Sequence, residues 1–521
     1  MTTLALLLGA MATPAMAGEY LDAKISFPFS DDNVLRGAGE DRKSSPDIYI
    51  GGTPDPSIDR LLPDRYDTFM HIGLYKALDL TEAFLPEAAI NLKIDIAKGT
   101  IRDDASYMRL NFLWNRDPDR HQGSTGELLS GQKVKRGIGD SAFIELFPVD
   151  ADRLRMGFHY ELSWGGTDVF PRNFRTTSAP AARVGVDIGG FYAFAGLKTA
   201  LIKSAVEVKL ANSEGNETLF VERTFYGGLF GAGVELGVDG LWLEANGGVF
   251  EKGTNNKAEV LGKPIVAGGA SAMLSFSRGA PVGRRLDLNL FREDPVRFDL
   301  TESEPYDGDV SYRIAAEFGF QTQTLADFDF TGSTKTELAM ASFASVGVKV
   351  KETRIHLDGG FRDMTWITAN VPGYFPYSAL PEAAEVTPEV SGTIAVDHLF
   401  TELGLTPYVG IGVQLPATYR GVMPAGQNNS KVSQGIQKVV VRGTEPGDWD
   451  ILPEGEDALP IISALGGLRW TYESTFAALV QVDYTYDPDR AQIRKDENGI
   501  GTRVFVDPSR LGVSLLASVK F

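Results

Sequence analysis

The sequence predicts an all-β fold, a transmembrane antiparallel up-and-down β-barrel of about 18 strands, within a range of roughly 16 to 20. Three observations predict it. Apolar and polar residues alternate with a period of two in segment after segment. Many of these segments run to roughly 9–14 residues, where tilted transmembrane strands need about 9–11 and soluble strands average about 5–6. The connections between the segments also alternate between short and long over most of the chain.

Composition excludes several other classes of protein. The 521 residues include 50 Lys and Arg against 69 Asp and Glu, a formal net charge of −19, and no cysteine. Without cysteine, the chain has no disulfide framework, no thiol nucleophile and no Cys-ligated metal site. The acidic balance argues against a nucleic-acid partner. Because no apolar run reaches about 18 residues, a polytopic helical membrane protein is excluded as well.

The chain divides into a leader and one domain. Residues 1–17 combine an apolar stretch with Ala15-Met16-Ala17, which is the cleavage pattern of a secretory signal peptide, so we expect it to be removed. Residues 18–521 are then the barrel. Within it, 28–66 is rich in Asp, Pro, Gly and Ser and poor in apolar periodicity. We expect this stretch to form a long loop or a segment folded into the lumen.

The strands are recognised by their alternation. In 310–320, for example, Val310, Tyr312 and Ile314 alternate with polar residues. A period of two places such residues on one face of a strand. Further strands are predicted from the same pattern around residues 90–96, 108–112, 153–164, 285–290, 354–361, 408–415 and 476–486.

The connections between strands are of two kinds. Short ones are predicted at 238–240, 351–352, 401–404 and 473–474. Long ones are predicted at 115–139, 165–181, 251–263, 370–386, 416–459 and 487–509. A barrel with short turns at one end and long loops at the other shows this pattern.

The last strand carries the most specific signal. One face of it holds the apolar residues and ends on the final aromatic residue of the chain: Leu511, Val513, Leu515, Ala517, Val519 and Phe521. With the leader and the repeated alternation, this resembles the bacterial outer-membrane β-barrel proteins, a porin-like class, without a match to one family. The resemblance implies that these six residues form the assembly signal that the barrel-assembly machinery reads.

The resemblance also implies the surroundings of the protein. It places the chain in the outer membrane of a Gram-negative bacterium, with short periplasmic turns, long extracellular loops and both termini in the periplasm. Membrane lipid and lipopolysaccharide are then its immediate partners, and a homo-oligomer or a larger envelope complex stays open. Aromatic side chains prefer the headgroup level. The aromatic girdles are therefore predicted from residues near strand ends, Trp114, Trp164, Trp366, Trp470, Tyr484 and Tyr486.

If the apolar faces contact lipid, the polar faces line the lumen. The predicted pore-lining residues are of mixed sign: Lys93, Asp95, Arg109, Arg153, Arg155, His159, Glu161, Arg313, Glu317, Arg354, His356, Asp358 and Asp483. Charged rings set the ion preference of a pore. The same charges can instead pair and fill the lumen, and the sequence does not decide between conduction and filling.

No enzyme, cofactor or metal site is predicted. The five histidines stand in no catalytic spacing, and any Ser-His-Asp set drawn from this sequence would be arbitrary. Acidic residues of the 416–459 loop match no calcium-loop motif, so a solvated acidic loop is the preferred interpretation.

Two functions therefore remain in view. The first is transport, as a porin-like channel for passive diffusion of small hydrophilic solutes or ions. The alternative is a non-conducting structural barrel of an envelope-spanning machine for motility, secretion or polysaccharide export, or an adhesin. A charged lumen favours the first and long loops favour the second.

Overall fold

The computed structural model of the chain consists of strands closed into one barrel. It describes residues 21–31, 34–35, 66–77, 80–81, 83–95, 99–103, 106–114, 140–149, 154–159, 162–166, 178–209, 216–255, 257–279, 309–370, 378–421, 437–441, 449–453, 455–472, 475–495 and 501–520. The predicted leader, 1–17, and the predicted strand at 285–290 lie outside these residues.

The barrel wall is one antiparallel sheet of 19 strands, in which pairing follows the chain order except at one short strand. Its strands are β1 (Leu21–Asp31), β2 (Tyr66–Ala77), β3 (Phe84–Asp95), β4 (Thr100–Asp103), β5 (Tyr107–Trp114), β6 (Asp140–Phe147), β7 (Ala181–Ile188), β8 (Phe191–Lys209), β9 (Asn216–Glu235), β10 (Leu241–Thr254), β11 (Pro264–Arg278), β12 (Val310–Ala326), β13 (Thr334–Val350), β14 (Thr353–Arg362), β16 (Glu389–His398), β17 (Leu405–Leu415), β21 (Ile461–Tyr472), β22 (Phe476–Tyr486) and β25 (Ser509–Lys520).

The wall closes on itself as an 18-stranded barrel. β4 and β5 both pair with β3, at its two ends, and together occupy the position of one strand. β25 pairs with β22 on one side and with β1 on the other, so that the described strands of the wall form a closed ring. Closure matters because an open sheet edge has no hydrogen-bond partners in hydrocarbon. The predicted fold class is confirmed.

The two faces of the wall differ as the alternation predicts. On β12, Ile314 and Phe318 point outward and are 49% and 52% exposed, whereas Ala315 and Glu317 point inward and are buried. Large apolar side chains are exposed in the same way around the barrel, among them Leu197, Leu243, Leu274, Leu357, Ile394, Ile411, Val480 and Leu515. An exterior of this kind suits a hydrocarbon environment.

Two predicted boundaries need correction. Residues 28–31 are part of β1 and pair with β25, so the first connection begins after Asp31 rather than at residue 28. The predicted long connection 115–139 joins β5 to β6 at the barrel end that holds the short turns. The connection between β11 and β12 is also long and lies at that same end. Strand direction decides the end at which a connection lies, and its length does not.

Smaller elements lie at the opposite end, among the other long connections. Helix α1 (Met364–Asn370) follows β14. A four-stranded sheet consists of β15 (Glu385–Thr387), β18 (Ala417–Gly421), β19 (Gln437–Val441) and β20 (Trp449–Ile451), and β23 (Ala491–Lys495) forms a hairpin with β24 (Gly501–Phe505). A 3-10 helix, Ala258–Val260, lies between β10 and β11.

Candidate functional site: the barrel lumen

The lumen-facing side of the wall holds charged side chains in cross-strand pairs. Arg354 on β14 stands opposite Asp397 on β16, and its Nε lies 2.7 Å from Asp397 Oδ1. Eight residues further along β14, Arg362 contacts both oxygens of Glu389, at 2.8–3.0 Å. Gln414 Nε2 on β17 also donates to Glu389, at 2.7 Å. All of these side chains are buried. Each buried arginine lies beside a buried carboxylate, so the charges of this part of the wall are balanced locally.

A second charged cluster lies across β3, β5, β6 and β7. Arg183 Nη2 is 2.6 Å from Glu145 Oε2, and Arg109 Nε is 3.7 Å from Glu87 Oε1. Both guanidinium groups lie over the ring of Phe143, with Arg109 Cζ 4.0 Å and Arg183 Cζ 5.1 Å from its centroid. A guanidinium over a ring face gains a cation–π attraction in addition to its ion pair.

The described residues 154–159 and 162–166, called here the inner segment, are folded into the lumen. It belongs to the connection between β6 and β7 and folds back on itself, with Met156 and Trp164 bonded through their backbones at 2.7 and 3.0 Å. The predicted wall strand at 153–164 is therefore wrong. Gly157 explains the interruption, because its φ of +86° ends the extended conformation. A Cβ at that position would lie 2.8 Å from the Leu162 carbonyl oxygen.

The apolar face of the inner segment is covered by the wall rather than by lipid. Leu154, Met156, Leu162 and Trp164 are buried in one cluster with inward-facing residues of several wall strands, including Ile202, Leu229, Phe250 and Phe343. The Trp164 ring meets Phe250 edge-on at 5.6 Å between centroids. Burial of this apolar area stabilises the inner segment inside the barrel.

His159 and Glu317 hold the inner segment to β12. The imidazole Nδ1 of His159 lies 2.8 Å from Glu317 Oε2, and the His159 ring lies 4.4 Å from the ring of Phe343. Both residues were predicted to line the pore. Both face the lumen, where they contact each other and are buried, and their role in lining an aqueous path stays a prediction.

Helix α1 packs both against the apolar cluster in the lumen and against the four-stranded sheet. Trp366 packs in the same cluster as the inner segment, whereas Met364 and Ile367 pack against Tyr419 and the other apolar residues of the four-stranded sheet. Asp363 precedes the helix and accepts hydrogen bonds from the backbone amides of Trp366 and Met340, at 2.6 and 2.7 Å. Burial raises the pKa of Asp363, against the lowering effect of these two bonds, and burial raises the pKa of Tyr419 to about 12.

The other predicted pore-lining residues fall into three groups. The first consists of wall residues with a partner on the wall: Arg109, Arg354, Asp358, which accepts from Thr393 Oγ1 at 3.4 Å, and Asp483, which lies 3.8 Å from Arg510. Arg155, Arg313 and His356 are buried or half-buried, Arg155 in the inner segment and the others on the wall. Arg153, Glu161 and the side chains of Lys93 and Asp95 lie outside the described part of the structure.

The predicted girdle residues also separate. Trp114, Trp470, Tyr484 and Tyr486 are exposed on the outer face, where their role in a girdle stays a prediction. For Trp164 and Trp366 the prediction is wrong, because both indoles are buried within the barrel. Leu511, Val513, Leu515, Ala517 and Val519 share the outward face of β25, and Phe521 lies outside the described residues.

Several charged residues of the wall were missed by sequence reasoning. Arg183, Arg362, Glu389 and Asp397 each belong to a buried pair between neighbouring strands. A signal was present, since each stands on the polar face of an alternating segment and next to an opposite charge once the register is known. The register itself could not be read from the sequence.

Within the described residues, no helix combines the length and the apolar character that are needed to span a bilayer. In that same part of the chain, no three His, Asp or Glu side chains are grouped so that they could hold a metal ion.

Comparison with known proteins gives structural likeness without sequence likeness. No protein-family model matches the chain, and no curated protein matches it. Among solved structures, the outer membrane protein OpdK of Pseudomonas aeruginosa is 10% identical, with 97% of this chain and 100% of that one covered and a TM-score of 0.43. OccK2 (OpdF) of the same organism is 9% identical over 98% and 99% of the two chains, with a TM-score of 0.42.

A third similar structure is a loop L8 deletion mutant of OmpT, an outer membrane protein of Vibrio cholerae. It is 8% identical, covers 96% of this chain and 99% of that one, and has a TM-score of 0.33. With scores this low, the fold of the present chain rests on its own strand pairing.

Proposed function

We propose that this protein is a channel in the outer membrane of a Gram-negative bacterium, through which small hydrophilic solutes or ions diffuse passively. The observation that carries the proposal is the closed 18-stranded wall with an apolar exterior and a charged interior. An apolar exterior is stable in the hydrocarbon of a bilayer. Charged side chains in the interior of such a barrel are stable only if they are solvated by water or paired with opposite charges. No catalytic step or cofactor is part of this proposal.

The pairing of the wall charges indicates the kind of selectivity. Ion preference comes from charges that face the permeating ion without a partner. Because the Arg354–Asp397, Arg362–Glu389 and Arg183–Glu145 pairs each bring one positive and one negative group together, we expect weak discrimination between cations and anions. The solute class follows from size and polarity more than from charge.

A second candidate function is favoured by the apolar cluster inside the lumen. Residues of the inner segment and α1 pack in one cluster with residues of the wall. Such packing is expected in a barrel whose lumen is filled, and equally in one whose lumen is only narrowed. Such a barrel would be a non-conducting subunit of an envelope-spanning machine, or an adhesin. The two functions differ in one measurable property, which is conduction.

Single-channel recording tests the proposal. The purified, detergent-folded protein is added to a planar bilayer, and current is recorded under voltage. Steady openings, with a reversal potential near zero in a salt gradient, are expected. A protein that is folded and inserted yet electrically silent would contradict passive diffusion and would favour the structural barrel.

A further inference from the structure

Glu317 differs from the other buried carboxylates of the wall in what it binds. Its residue is 3% exposed, and its carboxylate accepts four hydrogen bonds. The backbone amide of Phe158 donates to Oε1 at 2.8 Å, and the backbone amide of His159 donates to Oε2 at 2.6 Å. His159 Nδ1 is the third donor and Ser271 Oγ, on β11, is the fourth. Glu145, Glu389 and Asp397 pair with arginines of adjacent wall strands, whereas three of the four Glu317 donors belong to the inner segment.

Two more wall side chains bind the backbone of the inner segment. Asn246 on β10 accepts from the Gly157 amide at 2.8 Å and donates to the Gly157 carbonyl oxygen at 3.4 Å. Lys198 on β8 donates to the Gly165 carbonyl oxygen at 3.0 Å. Both side chains are buried. The inner segment is therefore fixed through main-chain atoms at three places along its length.

Of these three, Glu317 makes the largest contribution, because it accepts three hydrogen bonds from the inner segment, whereas Asn246 makes two and Lys198 makes one. Loss of the acceptor also leaves buried donors without partners, which is more costly than the loss of the bond itself. The two adjacent amides of Phe158 and His159 donate to the Glu317 carboxylate directly after Gly157, where a φ of +86° turns the backbone.

We propose that Glu317 is a positioning residue that holds the inner segment in the lumen and thereby sets the width of the pore. The proposal rests on the proposed channel function for its second half only. Whether the inner segment is held by Glu317 can be measured without any current, and whether it sets the pore width needs the current.

A buried thiol reports the position of the inner segment, since the chain has no cysteine of its own. Met156→Cys places a thiol at a residue that is 0% exposed. Its rate of reaction with a water-soluble maleimide is compared in three proteins: M156C alone, M156C with Glu317→Gln, and M156C with Glu244→Gln. Glu244 is the matched control, because it is buried on the same face of the wall but accepts from Tyr192 Oη, at 2.7 Å.

We expect Glu317→Gln to raise the labelling rate about tenfold or more, the factor that corresponds to a buried donor left unpaired. Glu244→Gln should leave the rate at that of M156C alone. Equal rates in the E317Q and E244Q backgrounds would overturn the proposal. Folding of each protein is checked by its faster migration in an unheated detergent gel.

The current measures the second half of the proposal. E317Q without the reporter thiol should give a larger and noisier single-channel conductance than the wild type, and E244Q should match the wild type. An unchanged conductance beside a raised labelling rate would overturn the claim about pore width. Silence of all three folded proteins would overturn the same claim together with the channel function, while the thiol result would still decide what holds the inner segment.

Asn246→Ala provides a second test if Glu317→Gln does not fold. It removes the contacts to Gly157 and leaves the Glu317 carboxylate in place, so the labelling rate of M156C should rise by a smaller factor. A rate equal to that of M156C alone would overturn the view that wall side chains hold the inner segment.

Discussion

Strand β12 and the inner segment carry the same sequence pattern and end in opposite environments. Both alternate apolar and polar residues with a period of two. On β12 the apolar residues point away from the barrel, and Ile314 and Phe318 are about half exposed. In the inner segment Leu154 and Met156 are buried inside the barrel. A period of two establishes that one face is apolar, and it leaves open whether lipid or protein covers that face.

The backbone accounts for the difference. β12 pairs along its whole length with β13 and along most of it with β11, so that its amides and carbonyls are satisfied by neighbouring strands. The inner segment turns at Gly157 and Gly165, both of which have positive φ. Its backbone groups find side chains of the wall instead, which fixes it within the lumen. Changes to the wall should therefore affect the barrel, and changes to the inner segment should affect the lumen alone.

The largest expected effect on the barrel comes from Arg354→Gln in the wall. It leaves the Asp397 carboxylate buried without its arginine, which costs about 3–5 kcal/mol of the free energy of unfolding. Urea unfolding in lipid vesicles measures this loss. The double variant R354Q/D397N should recover most of it, and a double variant as unstable as the single one would contradict the pairing.

A smaller effect is expected from Phe318→Arg on the outer face of β12. A charge on the lipid face of a barrel costs about 2–4 kcal/mol at the bilayer midplane and less near the surface. Phe318→Leu is the control, because it stays apolar. If both variants unfold at the same urea concentration, this face does not contact hydrocarbon.

The smallest effect on the barrel is expected from Gly157→Ala in the inner segment. A side chain there meets the Leu162 carbonyl at 2.8 Å with φ near +86°, and such strain costs about 1–3 kcal/mol locally. Because the wall does not depend on this turn, urea unfolding of the barrel should stay unchanged while conductance becomes noisier. A barrel destabilised as much as by Arg354→Gln would remove the distinction between wall and inner segment.

The sequence predicts the wall well because each strand repeats one signal many times. The outward faces of β12 and β25 and the short turns at 351–352 and 401–404 follow from local alternation. Long-range geometry does not follow from it. Glu317 and His159 are 158 positions apart, and Arg354 and Asp397 are 43 apart across a long connection. The prediction of Trp164 and Trp366 in the aromatic girdles fails for the same reason. No local signal in the sequence indicates that their segments fold inward.

The measurement that tests the central claim most directly compares the wild type with a variant in which residues 154–166 are replaced by an equally long Gly-Ser stretch. Both are folded, inserted into planar bilayers and recorded under the same salt and voltage. A segment that narrows an aqueous pathway predicts a larger conductance in the variant, with an unchanged urea unfolding of the barrel. Equal conductance in the two proteins, or a variant barrel that no longer folds, would contradict the claim.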